Sequence, residues 1–144
     1  MIAVDTNILV AAHRVDAQFH LPASRCLKRL AESGRDWAIP WPCVHEFLAV
    51  VTHPRIFVPP TPLKEAIAQV QCWLECPSLH CLGELPEYFE TLQSVVTASR
   101  AEGPLIHDAR VAAICLQHRV TTLWTADRDF SRFRQLYTEN PLLE

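Results

Sequence analysis

Four carboxylates fall where secondary-structure elements should meet, and that placement is the chain's strongest hint of chemistry. Asp5 follows the short apolar run Ile2 to Val4, and Asp127 lies just beyond a second β-compatible run at 121–125. Glu46 and Asp108 sit in the opening turns of two apolar helices, flanked by Val44, Phe47 and Leu48 and by Ile106 and Ala109. One acid at a helix start needs no function, because the macrodipole favours it there. Four acids on element ends that point toward one side of a parallel sheet are another matter, since open α/β sheets bind ligands at the carboxyl ends of their strands. Gathered carboxylates repel one another unless a cation sits between them. An all-oxygen ligand set selects Mg²⁺ or Mn²⁺ over zinc. A site of that kind suits phosphodiester hydrolysis, in which a metal activates water and stabilises the leaving oxygen without a protein nucleophile.

The elements that must carry these acids alternate in type. Strands are expected at 2–4, 37–39, 79–82 and 121–125, with an edge strand at 136–138. The spacing predicts helices from Asn7, with Thr6 as N-cap, and over 22–33, 42–51 and 105–117. Two more should begin at Thr61-Pro62, as N-cap and first helical residue, and at Pro86. Alternating helices and short strands imply an α/β, three-layer sandwich around a central parallel sheet.

At 144 residues the chain reads as one domain over 1–144, long enough for a proper core. No apolar run approaches a membrane span, and the N-terminus lacks a basic leader, so a cytoplasmic location is the default expectation. A net charge of -3 gives no global basic field for nucleic acid. His13, Arg14, Arg128, Arg132 and Arg134 lie near the acids in sequence and offer a local positive rim for phosphate, against the equal alternative of solvated faces and ion pairs. The six cysteines, at 26, 43, 72, 76, 81 and 115, read as buried reduced thiols. Cys72, Cys76 and Cys81 with His80 invite a zinc site, but no CxxC pair is present and core packing is preferred. Trp37, Trp41, Trp73 and Trp124 likewise read as core rather than base-stacking platforms.

Taken in order, Val4-Asp5-Thr6-Asn7, the helical Glu46 with the following Val50-Val51-Thr52-His53-Pro54-Arg55, His107-Asp108-Ala109, and Leu123-Trp124-Thr125-Ala126-Asp127-Arg128-Asp129-Phe130 resemble a PIN-domain ribonuclease. The chain is especially similar to VapC toxins of bacterial and archaeal toxin–antitoxin pairs. That resemblance implies an endoribonuclease dependent on Mg²⁺ or Mn²⁺, with Asp5, Glu46, Asp108 and Asp127 as metal-site acids. It also matches Asn7 and Thr125 to polar residues that support the cluster, and Asp129 to a position that either assists the metal or anchors the next loop. The implied partners are RNA, a second copy of the chain and a VapB-type antitoxin.

Other readings fit less well. A haloacid-dehalogenase phosphatase needs an acid two residues after the first Asp, where this chain has Asn7. A receiver domain needs a late Lys, but the lysines are Lys28 and Lys64. An inactive binding module of the same fold would be expected to have lost acids that are all present here, while a housekeeping RNA-processing nuclease would keep them. Helical neighbours point about 100° apart, so His107 is expected to pack or cap backbone rather than act as a base beside Asp108.

Overall fold

A computed structural model describes residues 1–143. Its centre is a five-stranded sheet in the order β3-β2-β1-β4-β5, built from β1 (Ile2–Val4), β2 (Trp37–Pro40), β3 (Leu79–Leu82), β4 (Thr122–Trp124) and β5 (Thr138–Glu139). Every pairing is parallel. The inner strands are apolar without alternation, as strands covered on both faces must be, and all four residues of β2 are buried.

Six helices flank the sheet: α1 (Thr6–His13), α2 (His20–Glu32), α3 (Trp41–Val51), α4 (Leu63–Leu74), α5 (Tyr88–Ser99) and α6 (Leu105–Gln117). α1 packs on α2 and α3, α3 on α4, and α5 on α6. The core they close includes Val4, Ile8, Ile39, Phe47, Ile114 and Leu123, all essentially inaccessible to solvent. No helix among the described residues is long and apolar enough to cross a membrane.

The strand order decides where a site can form. From β1 the chain winds outward through β2 to β3, then returns to place β4 on the other side of β1. The β1–β4 seam is therefore the topological switch point, where open α/β sheets leave a crevice at their carboxyl edge. Register completes the job. Val4 pairs with Trp124, and the Asp5 N–H donates to the Trp124 carbonyl at 2.9 Å, so Asp5 and Thr125 emerge side by side.

Several boundaries move for identifiable reasons. Asp5, not Thr6, caps α1: its Oδ1 accepts the Thr6 N–H at 2.8 Å. α2 begins at His20, where the imidazole Nδ1 lies 2.9 Å from the Ala11 carbonyl and pins the helix start to α1. α4 starts at Leu63 with Pro62 as cap residue, because Thr61 is buried and bound to His13 and Arg14. α5 starts at Tyr88 rather than Pro86 because Glu87 between them has a left-handed φ of 68°, which no right-handed helix can include. The edge strand slides to Thr138–Glu139, because Leu136 is spent in the core ahead of it. A 3-10 helix, Arg128–Arg132, follows Asp127 and was not expected.

Candidate active site at the carboxyl edge of the sheet

Asp5 is buried, and its carboxylate is held from four directions. Oδ1 accepts from the Thr6 N–H and lies 3.4 Å from the Cys43 thiol; Oδ2 accepts from Thr125 Oγ1 at 2.8 Å and Asn7 Nδ2 at 3.0 Å. Burial raises its pKa, with the Glu46 charge adding to that effect, while the Thr125, Thr6 and Cys43 hydrogen bonds oppose it. A carboxylate so fixed keeps one orientation, at little reorganisation cost when a ligand arrives.

Asn7 and Thr125 do the tying. Asn7 Nδ2 also reaches Thr125 Oγ1 at 3.1 Å, and its Oδ1 accepts the Ala126 N–H at 2.9 Å. Thr125 Oγ1 in turn accepts the Asp127 N–H at 3.0 Å. The two central strand ends are thereby stitched into one edge. Asp127 caps the 3-10 helix by accepting the Asp129 N–H on Oδ1 at 2.9 Å.

Two helices bring the remaining acids, Asp108 from the first turn of α6 and Glu46 from the middle of α3 rather than its start. α3 has Pro40 as cap residue and Pro42 in its first turn, which suits a residue lacking an N–H, and it presents Glu46 beside α1. There Glu46 Oε2 accepts from Thr6 Oγ1 at 3.1 Å. Asp108 lies in the first turn of α6, on the favourable end of the dipole. Its carboxyl is pushed up to about 6, first by burial and then by the charges of Asp127, Asp5, Glu46 and Asp129. Asp5, Glu46, Asp108 and Asp127 line one cleft of about 520 Å³, with Thr6, Asn7 and an apolar wall that includes Ile56 and Phe57.

The donor chemistry fits a hard divalent cation. Oxygens of Asp108, Asp127 and Asp129 lie within 4.8 Å of one another, the only such group of three or more metal-capable side chains among the described residues; Asp5 and Glu46 stand outside that trio and share the cleft with Asp108 and Asp127. Burial raises the Asp108 pKa most, and the neighbouring carboxylates add to it, a repulsion that a cation among them would relieve. No sulfur or imidazole belongs to the group, so the set matches Mg²⁺ or Mn²⁺ better than zinc.

Other sequence readings are redirected. Cys72, Cys76, Cys81 and His80 do not gather; His80 pairs with Asp36 at 3.0 Å and Cys72 is exposed. Cys26, Cys43 and Cys115 are buried as expected, and all six thiols are free. Cys43 and Thr6 were missed as supports for the acids. Cys43 looked like one more apolar residue, and only the fold brings it to Asp5. Trp41 is 39% exposed rather than core, while Trp37 is fully buried. His107 neither packs nor caps: it is exposed and lines an adjoining groove with His45, walled on one side by Glu46 and Asp108. Arg14 is drawn off any phosphate-facing rim by two hydrogen bonds to Asp16, a third to Thr61 and a 4.4 Å approach to the Phe57 ring. His13 is likewise tied to Gln69 and Thr61. Arg132 touches the Ser99 carbonyl at 3.3 Å; Arg128 and Arg134 are exposed.

Fold and site together define an α/β protein with an acidic cleft at its topological switch point. The sequence profile of the PIN domain matches residues 2–136, and the chain belongs to that family. It is 34% identical over 142 residues to the VapC ribonuclease Mb2897 of Mycobacterium bovis, covering 99% of this chain and 96% of that protein. With ribonuclease VapC31 of Mycobacterium tuberculosis it shares 32% over 143 residues, covering 99% and 100%. The fold resembles that of VapBC2 from Rickettsia felis, solved bound to a promoter DNA fragment, with a TM-score of 0.72, 19% identity and coverage of 97% and 98%. FitAcB from Neisseria gonorrhoeae gives a TM-score of 0.66 at 21% identity, with full coverage of both chains.

Proposed function

We propose that this PIN domain, spanning 1–144, is an endoribonuclease and the toxin of a VapBC-type toxin–antitoxin pair, acting in the cytoplasm with Mg²⁺ or Mn²⁺. The observation that carries the reading is the meeting of Asp5, Glu46, Asp108 and Asp127 in one cleft of a chain similar over nearly its whole length to VapC ribonucleases. Its partners are RNA, a VapB-type antitoxin and a second copy of the chain.

In this reading Asp5 and Asp108 are the principal metal ligands, with Glu46 and Asp127 completing the cage directly or through water. When bound, the cation supplies Lewis-acid activation of water and neutralises charge developing on the phosphodiester. The chain's residues prepare for it. Asn7, Thr125, Thr6 and Cys43 all donate to the Asp5 carboxylate, so it stays put while charge arrives. Asp108 shares a proton with solvent near pH 6 in the metal-free state and gives it up on metal binding, which makes affinity rise with pH. Asp129 donates its backbone N–H to Asp127 and sets the loop on which Arg128 and Arg132 are carried. Those exposed cations, with Arg134, meet the RNA backbone.

The test is cleavage of end-labelled RNA by the purified chain in Mg²⁺, Mn²⁺ or chelator. Cleavage should require a divalent ion and leave a 5′-phosphate and a 3′-hydroxyl, because water and not the ribose 2′-hydroxyl attacks. A 2′,3′-cyclic phosphate, or full activity in chelator, would overturn the mechanism. For the toxin role, induction alone should arrest growth and co-expression of the neighbouring antitoxin should restore it; unimpaired growth at confirmed soluble expression would assign the enzyme to RNA processing instead.

A further inference from the structure

Beside the acidic cleft runs a groove of about 570 Å³ between α3 and α6, and Glu46 and Asp108 line both. Its size lies within the roughly 300–1,000 Å³ of small-ligand sites. His45 from α3 and His107 and Arg110 from α6 supply its nitrogen groups. Each imidazole is the chain neighbour of an acid, His45 of Glu46 and His107 of Asp108. Neighbours on a helix point about 100° apart, so each pair can serve the cleft with its acid and the groove with its imidazole.

The chain has seven histidines, and the other five are tied down. His13 meets Gln69 and Thr61, and His20 meets the Ala11 carbonyl. His53 accepts the Arg55 N–H, His80 meets Asp36 and His118 meets the Gly83 carbonyl. His45 and His107 are exposed, and neither makes a hydrogen bond among the described residues. The two uncommitted imidazoles thus line one groove, and that groove adjoins the acids.

The walls differ in character. On α3, Trp41 stands one turn before His45, with ring centroids 6.5 Å apart and planes inclined by 41°. Trp41 is itself partly exposed, so the two rings form an aromatic strip leading toward Glu46. On α6, Arg110 is fixed by Glu84, whose Oε1 accepts from Nε and Nη2 at 2.8 Å each. Single-stranded RNA is held by this combination: bases stack on aromatic side chains, and phosphate oxygens accept from N–H donors. A phosphodiester held at the acids would carry its adjoining nucleotide into the groove.

Resting on the ribonuclease reading above, we propose that the α3–α6 groove seats the nucleotide next to the scissile phosphate, its base stacked on His45 and its backbone phosphate accepting from the His107 imidazole. The two histidines contact substrate by surface and by donor, and neither moves a proton in the reaction.

Anisotropy of a short, labelled, single-stranded RNA tests the groove apart from cleavage, in proteins that all carry Asp5→Asn so that the RNA stays intact. Adding His45→Ala should weaken binding by about 5–10-fold and His45→Phe should restore it, since a single stacked base is worth that much. His107→Ala should weaken binding several-fold, and His107→Gln, which keeps an N–H donor, should recover most of the loss. His80→Ala, on β3 and outside the groove, should change nothing. Ultraviolet cross-linking of the same RNA carrying 4-thiouridine should join it to the peptide that bears His45. Unchanged affinity in His45→Ala and His107→Ala, equal losses in His45→Ala and His45→Phe, or cross-links confined to other peptides would each overturn the proposal. Absence of RNA binding by the Asp5→Asn parent would overturn it too, whereas absence of cleavage by wild type in Mg²⁺ or Mn²⁺ would overturn the ribonuclease reading beneath it.

Discussion

Replacing Asp108 with Asn removes one charge from the acidic cleft without changing side-chain shape, and the metal-free protein should become more stable. The Asp108 carboxyl is pushed from 3.8 to about 6 by burial and by four neighbouring carboxylates. Between those values the folded state binds the proton that the unfolded chain has released. Stability is therefore fully present below the lower value and is lost as pH rises through about 6. At about 1.4 kcal/mol per pKa unit the full shift corresponds to roughly 3 kcal/mol. Asp108 is half-exposed in an open cleft, so solvent screening brings the expected gain to ~1–2 kcal/mol. For a domain of this size that is roughly 3–8 °C in melting temperature.

The assay is thermal melting in chelator from pH 5 to 7.5, for wild type and Asp108→Asn. Wild type should lose stability across that range. The variant should lose less while keeping some slope, because the Asp5 pKa is also raised by burial. Adding Mn²⁺ should raise the wild-type melting temperature by linkage and the variant's less. A variant that melts below wild type in chelator at pH 7.5, or keeps the full wild-type pH slope, would refute the reasoning and make Asp108 a structural acid.

Thr125→Val should cost ~10–100-fold in RNA cleavage rate while Thr125→Ser retains most of it, because the hydroxyl binds Asp5, Asn7 and the Asp127 N–H at once; equal losses in kinetic assays would count against that role. Asp129→Asn should lose less kcat than Asp127→Asn in the same assay, since Asp127 lines the cleft with Asp5, Glu46 and Asp108 whereas Asp129 stands beside it. Cys43→Ala should lower Mn²⁺ affinity and Cys43→Ser should restore it by keeping a donor to Asp5, as calorimetry can measure. Neutralising Arg128 or Arg134 should weaken RNA binding and reduce its salt slope by about 1 each, whereas Arg14→Gln should chiefly lower the melting temperature, since its guanidinium braces Asp16, Thr61 and Phe57.

The long-range plan was legible because it rests on periodicity and punctuation. Short apolar runs bounded by Pro and Gly mark the strands, and β3 and α6 fall at the expected 79–82 and 105–117. The four acids could be singled out because each interrupts an apolar segment, Asp5, Asp108 and Asp127 near an element end and Glu46 in the middle of α3. What joins them could not be read so easily, since it depends on contacts between residues distant in sequence. Cys43 meets Asp5 across 38 positions and Asn7 meets Thr125 across 118, and nothing local marks either pair. The cap of α1 went to Asp5 because a carboxylate already fixed by Thr125 and Asn7 stands nearest the Thr6 N–H. Arg14 was partly readable: Asp16 two residues on offers a local ion pair, and it wins over a phosphate rim. Cys72 and Trp41 defeat the core reading because each lies on a helical face left partly open to solvent.

The central claim is that carboxylates from four separate segments of the chain form one divalent-cation site. Titration of Mn²⁺ into the protein, followed by loss of the free-ion electron paramagnetic resonance signal, tests it most directly. Wild type should bind the ion, while Asp5→Asn and Asp108→Asn, shown to be folded by circular dichroism, should weaken binding on the order of tenfold or more. Equal Mn²⁺ affinity in all three proteins, or no binding by wild type, would contradict the account.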